Sequence, residues 1–169
     1  IFTGKGKISF DWDSTLSQAF FFTNMSPEDI RKAINDPQYI TEDNLTLFGK
    51  VIRELCEDET FRKRIIINTS RRFNDKVEEG KACIKQIAEI MNLSEEQVKY
   101  ETKKCNGDPN LKAAGKVKRA IQEGCVIHFD DESIVLQFMQ QNDISGCLIY
   151  EGLPKIQDDE NGSCLYNFS

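Results

Sequence analysis

The sequence predicts an α/β protein: a three-layer, Rossmann-like sheet of five parallel strands with helices on both faces. Three observations predict it. Short apolar runs recur along the chain, separated by segments whose apolar residues have helical spacing. The run at 65–67 is continuously apolar, as expected of a strand buried on both faces. The conspicuous polar groups also follow such runs: Asp11 and Asp13 after the first, Thr69 and Ser70 after the second, Asp130 and Asp131 after the fourth. Strand ends of that kind are where open parallel sheets bind ligands.

Residues 1–7 read as a lead-in. Strand one occupies 8–10 and runs into Asp11-Trp12-Asp13-Ser14-Thr15. The segment 16–25 carries Phe20-Phe21-Phe22, expected to fill core near the mouth of the site. Ser26-Pro27-Glu28-Asp29 is a helix start, with Ser26 as cap and Pro27 in the first turn. That helix should run to Ile34, where Asn35-Asp36-Pro37 breaks it. A longer helix is expected from Thr41 or Asp43 through Cys56, burying Leu45, Leu47, Phe48, Val51, Ile52 and Leu55. Polar residues 56–60 close it.

Strand two covers 64–67 and ends at Thr69-Ser70-Arg71-Arg72. A helix from Asn74 or Asp75 to Met91 should turn Val77, Ala82, Ile84, Ile87, Ala88 and Met91 inward. Residues 93–96 form a connector, 98–102 a weaker third strand and 105–110 a loop. The helix 111–122, capped by Asn110 or a near neighbour, runs past Gly115 and closes at Gly124. Strand four (126–129), a helix (133–141) and strand five (144–150) complete the alternation. The domain reading is a core over 1–150, with a small helical insert at about 17–60, and a polar, loosely packed tail over 151–169.

The 169 residues are 39% hydrophobic and 30% charged, which fits one soluble globular domain. A formal charge of −6 argues against a non-specific hold on nucleic acid or anionic membrane, while leaving room for a local basic patch. The six cysteines are scattered and form no CxxC pair, so they read as mostly buried free thiols in a reducing compartment. No apolar stretch reaches transmembrane length and no signal peptide is visible. The expected location is the cytoplasm. The first residue is Ile1 rather than Met, which suggests a trimmed or partial chain.

Side chains alternate along an extended segment, so Asp11 and Asp13 can face one side. Two carboxylates placed together repel, and a hard divalent cation such as Mg2+ resolves the repulsion. A carboxylate beside a bound cation can attack a phosphoryl group, and a second can protonate the leaving oxygen and then activate water. A hydroxyl and a lysine from neighbouring elements can hold the phosphoryl oxygens.

These residues resemble the haloacid dehalogenase-like (HAD) phosphatase superfamily. Its first motif, DxDx(T/V), matches Asp11-Trp12-Asp13-Ser14-Thr15, and its second, a hydroxyl at a strand end, matches Thr69-Ser70-Arg71. Its lysine matches Lys112, with Lys116 as rival, and its fourth motif matches Asp130-Asp131. The resemblance covers roughly residues 7–150. It implies a HAD-like fold, an aspartyl-phosphate on Asp11, acid–base work by Asp13, and phosphate holding by Thr69, Lys112, Ser70, Arg71 and the Ser14 amide. It implies Mg2+ on Asp11, Asp130, the Asp13 carbonyl and Asp131, the last directly or through water. Ser14 stands where the family usually has glycine, and asks for a compatible backbone angle. His128 reads as a core histidine, and Trp12 as core behind the site.

The segments available for a cap are short, so at most a small helical cap and a fairly open site are expected. Overall acidity favours a phosphorylated small molecule or nucleotide as substrate. A nucleic-acid end or a phosphoprotein remains open, because Arg71 and Arg72 can contact a further phosphate. A phosphotransferase and a HAD-like binding module with weak turnover are compatible with the same residues.

Overall fold

Five strands bring the site residues to one edge. They are β1 (Lys7–Phe10), β2 (Ile65–Asn68), β3 (Val98–Lys99), β4 (Cys125–Asp130) and β5 (Ser145–Tyr150). A computed structural model describes residues 5–19 and 24–150, and the backbone alone at 153–154, 156–158 and 164–166. The five strands are parallel, in the order β3-β2-β1-β4-β5. Chain direction across the sheet reverses at β1, which has β2 on one side and β4 on the other. That is the switch point at which such sheets open a crevice.

The helices are α1 (Pro27–Ile34), α2 (Leu47–Leu55), α3 (Glu59–Arg62), α4 (Glu78–Met91), α5 (Pro109–Gln122) and α6 (Ser133–Gln140). Successive residues of a strand face opposite sides. Ile65 and Ile67 therefore join the core under α2 and α4, with Phe10, Phe48, Ile87 and Met91. Ile66 joins a second core under α5 and α6, with Ala113, Val117, Val135 and Met139. Phe10 stacks on Phe129 at 4.8 Å between ring centres, and Phe48 leans on both rings. This aromatic layer lies directly beneath the strand ends that carry Asp11 and Asp130.

α1 starts as expected: the Ser26 hydroxyl accepts from the Asp29 amide. The expected single helix from Thr41 or Asp43 does not form. A 3-10 turn at Glu42–Asn44 precedes α2, whose cap is Thr46. Its inward stripe is Leu45, Phe48, Ile52 and Cys56, while Leu47, Val51 and Leu55 are exposed. The stripe is set by Gly49, where a Cβ would lie 2.1 Å from the Leu16 carbonyl. That close approach turns the adjacent residues of α2 outward.

α3 replaces the closing turn expected at 56–60. α4 starts later than expected, so Val77 is exposed, and Gly80 and Cys83 line the buried face in place of Ala82. β3 is two residues long. Asp108 rather than Asn110 caps α5. Gly115 lies against Glu101, with a Cβ there only 2.8 Å from that carboxylate. Leu153–Pro154 pairs antiparallel with β5 as β6, and β7 (Ile156–Asp158) pairs with β8 (Cys164–Tyr166).

Phe20-Phe21-Phe22 lies outside the described residues. Cys56, Cys83, Cys105, Cys125 and Cys147 are free, and all but Cys105 are buried. No described helix is long and apolar enough to cross a membrane.

Candidate active site at the ends of the first and fourth strands

The register places Phe10 beside Phe129, so the next residues, Asp11 and Asp130, are neighbours. The Asp11 amide donates to the Phe129 carbonyl at 2.9 Å and fixes that neighbourhood. Beyond Asp11 the chain makes one tight turn, in which the Trp12 carbonyl accepts from the Leu16 and Ser17 amides at 3.0 and 2.9 Å. Ser14 sits in this turn at φ 63°, the left-handed region that favours glycine. The Thr46 hydroxyl donates to the Thr15 carbonyl at 2.7 Å and ties the turn to the start of α2.

Carboxylate oxygens of Asp11, Asp130 and Asp131 lie within 4.8 Å of one another. Asp11 and Asp130 are buried and Asp131 is half-buried. Lys116 reaches into this group from α5. Its ammonium donates to Asp11 Oδ1 at 2.7 Å and to Asp130 Oδ2 at 2.6 Å, and only 3% of the residue is exposed. The preference for Lys112 is thus corrected. Lys112 lies one turn further out and lines an open cleft. The Asn68 amide, at the end of β2, donates to the Lys116 carbonyl at 2.9 Å. Lys116 is therefore level with the strand ends, and α5, which starts at Pro109, begins about two 5.4 Å turns beyond them.

The electrostatics follow from burial and crowding. Burial and the Asp130 charge hold the Asp11 carboxyl well above its ordinary range. Burial pushes Asp131 up to about 7, with Asp130 adding to it. Asp130 is held low despite its burial, because Lys116 and His128 both favour its charge. Lys116 is held above the usual lysine range by the two carboxylates, against its burial.

His128 is buried as expected, and it also does more than fill space. Its Nε2 is 2.7 Å from Asp130 Oδ2 and its Nδ1 is 2.8 Å from Ser9 Oγ. Burial lowers its pKa and keeps the ring neutral. An ionised carboxylate only accepts, so the ring proton sits on Nε2 and the Ser9 hydroxyl donates to Nδ1. The chain Ser9–His128–Asp130 fixes one Asp130 oxygen, and the Glu132 amide holds the other at 3.0 Å.

Asp13 does not join the carboxylate group. Its two oxygens accept from Arg71 Nε at 2.8 Å and from a terminal guanidinium nitrogen at 2.7 Å, a forked pair. Arg71 is 5% exposed and belongs to this clamp. The Ser14 amide, expected to hold phosphate, donates to the Ser17 carbonyl at 2.7 Å and is occupied. Thr69 is fully buried and accepts from the Arg71 amide at 3.1 Å, while Ser70 is half-buried at the edge of the cleft.

Arg119 completes the frame: it pairs with Glu101 and donates to Asn68 Oδ1 at 2.8 Å and to the Thr69 carbonyl at 3.1 Å. Trp12 is buried behind the site. Sequence reasoning missed the Arg71–Asp13 clamp and the His128 contact with Asp130. The only available signal for the latter was the spacing of His128 and Asp130, two apart on one strand face. No protein-family model matches this chain, and no curated protein matches it.

Proposed function

We propose that this protein is a Mg2+-dependent phosphomonoester hydrolase that works through an aspartyl-phosphate on Asp11, in the manner of the HAD-type phosphatases its motifs resemble. The observation that carries the reading is the convergence of Asp11, Asp130, Asp131 and Lys116 at the switch point of the sheet. The donors fit a hard cation, since all are carboxylate oxygens. Three carboxylates and one ammonium sum to −2 when ionised, which a divalent ion balances. Asp11, Asp130 and Asp131 would hold magnesium, which when bound withdraws charge from the phosphoryl oxygens.

The residues then divide the work. Asp11 attacks phosphorus as the bond to the leaving oxygen breaks, and Asp13 gives that oxygen a proton. Asp13 next takes a proton from water, which attacks the acyl phosphate and frees Asp11 and inorganic phosphate. Lys116 takes the lysine's role in place of Lys112 and offsets charge on the transferring group. Thr69 still has its hydroxyl proton to donate. Arg71 orients Asp13. The substrate class is a phosphorylated small molecule or nucleotide, or the phosphorylated end of a polymer. The free thiols support placement in the cytoplasm.

A HAD-like binding module with weak turnover is the second reading. The occupied Ser14 amide and the clamped Asp13 favour it. Release of phosphate from an aryl phosphate separates the two. The hydrolase reading expects magnesium-dependent turnover that is lost in Asp11→Asn. Intact metal binding without turnover of any phosphomonoester would favour the module.

A further inference from the structure

Beside the carboxylate site, over the ends of β2 and β3, lies a cleft of about 760 Å3. Arg31, Arg72, Lys103, Lys104 and Lys112 line it, from four separate stretches of chain. All but the half-buried Lys112 are exposed. Among the described residues none of the five forms an ion pair with a carboxylate. Elsewhere on the surface Lys7, Lys32, Arg53, Lys63, Lys81, Lys85 and Lys99 do, while Lys50, Lys76 and Lys118 form none among the described residues. Among the described residues the one acidic side chain in the wall, Glu101, is buried and paired with Arg119. In a chain of net charge −6, this is a concentrated positive field.

The cleft connects with the site through Arg71, which lines it and also clamps Asp13. Among the described residues no aromatic side chain lines it, so these walls offer no surface on which a base could stack. Five cations from four separate stretches of chain are more than one phosphate needs, which suits several phosphates in series better than one.

Resting on the hydrolase reading, we propose that the substrate is the phosphorylated end of a single nucleic-acid strand. Its phosphodiester backbone lies along the cleft and its terminal phosphate enters at Asp11. Recognition runs through phosphates and is independent of base sequence.

The test uses a labelled single-stranded oligothymidylate, phosphorylated at the 3' or the 5' end, with binding read by fluorescence anisotropy over a salt series. Engagement of three to five cations predicts a log–log slope of about −2 to −3.5. Lys103→Ala with Lys104→Ala should weaken binding at least about tenfold and flatten the slope by about 1.4. The same double variant should lower turnover of the oligonucleotide and leave that of p-nitrophenyl phosphate unchanged. Faster turnover of one end identifies which end enters.

Salt-independent binding, or tighter binding of an acidic phosphopeptide, would overturn the proposal. So would equal loss on both substrates in the double variant. Binding with the expected slope but no hydrolysis of any substrate would sink the hydrolase reading and leave the cleft standing. Hydrolysis of the aryl phosphate without salt-sensitive binding would do the reverse.

Discussion

Lys116 and Lys112 are one turn apart on α5, in opposite surroundings. Lys116 is buried and bonded to two carboxylates at the ends of β1 and β4. Lys112 is half-buried, lines the open cleft over β2 and β3, and has no ion-pair partner among the described residues. One helix thus serves a closed anionic centre and an open cationic one. The centre keeps its charges desolvated, where they act strongly on bound charge. The cleft keeps its charges in water, where they attract polyanions and yield to salt. The difference suggests chemistry on one side of α5 and delivery of substrate on the other.

The largest test of that division is Lys116→Met. Turnover of an aryl phosphate should fall by about 10²–10³, and the apo protein should lose about 3–5 kcal/mol in a urea melt, because two buried carboxylates lose their ammonium. Lys112→Met should change the same turnover less than about tenfold. The opposite ranking would move the phosphate to the cleft side.

Next comes pH. Asp131 keeps its proton up to about 7, and Asp11 is raised as well. A cation must displace those protons, so magnesium affinity should fall as pH drops through about 7, by about tenfold per unit or more. Titration calorimetry across pH reads this, and Asp131→Asn should remove the inflection near 7. A pH-independent affinity would mean that the cation binds elsewhere. The smallest effect belongs to the cleft: Arg31→Ala should change stability by less than about 0.5 kcal/mol, since its side chain is exposed and has no carboxylate partner among the described residues. A larger loss would show that the cleft cations support the fold.

Much of this arrangement is legible in residues alone, and the rest is not for definable reasons. The parallel sheet, and Asp11 beside Asp130, follow from apolar runs that end in carboxylates. The choice of lysine does not follow, because it depends on how far α5 overshoots the sheet. The cap at Asp108 and the bond from Asn68 to the Lys116 carbonyl set that distance. The buried face of α2 was ambiguous because apolar residues surround it, and a single close approach at Gly49 decides it. Arg71 reads as a phosphate ligand from its neighbours in sequence, but its partner Asp13 is 58 residues away. His128 reads as core because its function is to orient Asp130, and a buried neutral ring gives no other sign.

The most direct measurement is a rapid acid quench of magnesium-loaded protein during turnover, followed by mass spectrometry of its peptides. A phosphoryl group carried by Asp11, and missing in Asp11→Asn, is the expected result. Turnover with the phosphoryl group on another residue, or with none on the protein, would contradict the account.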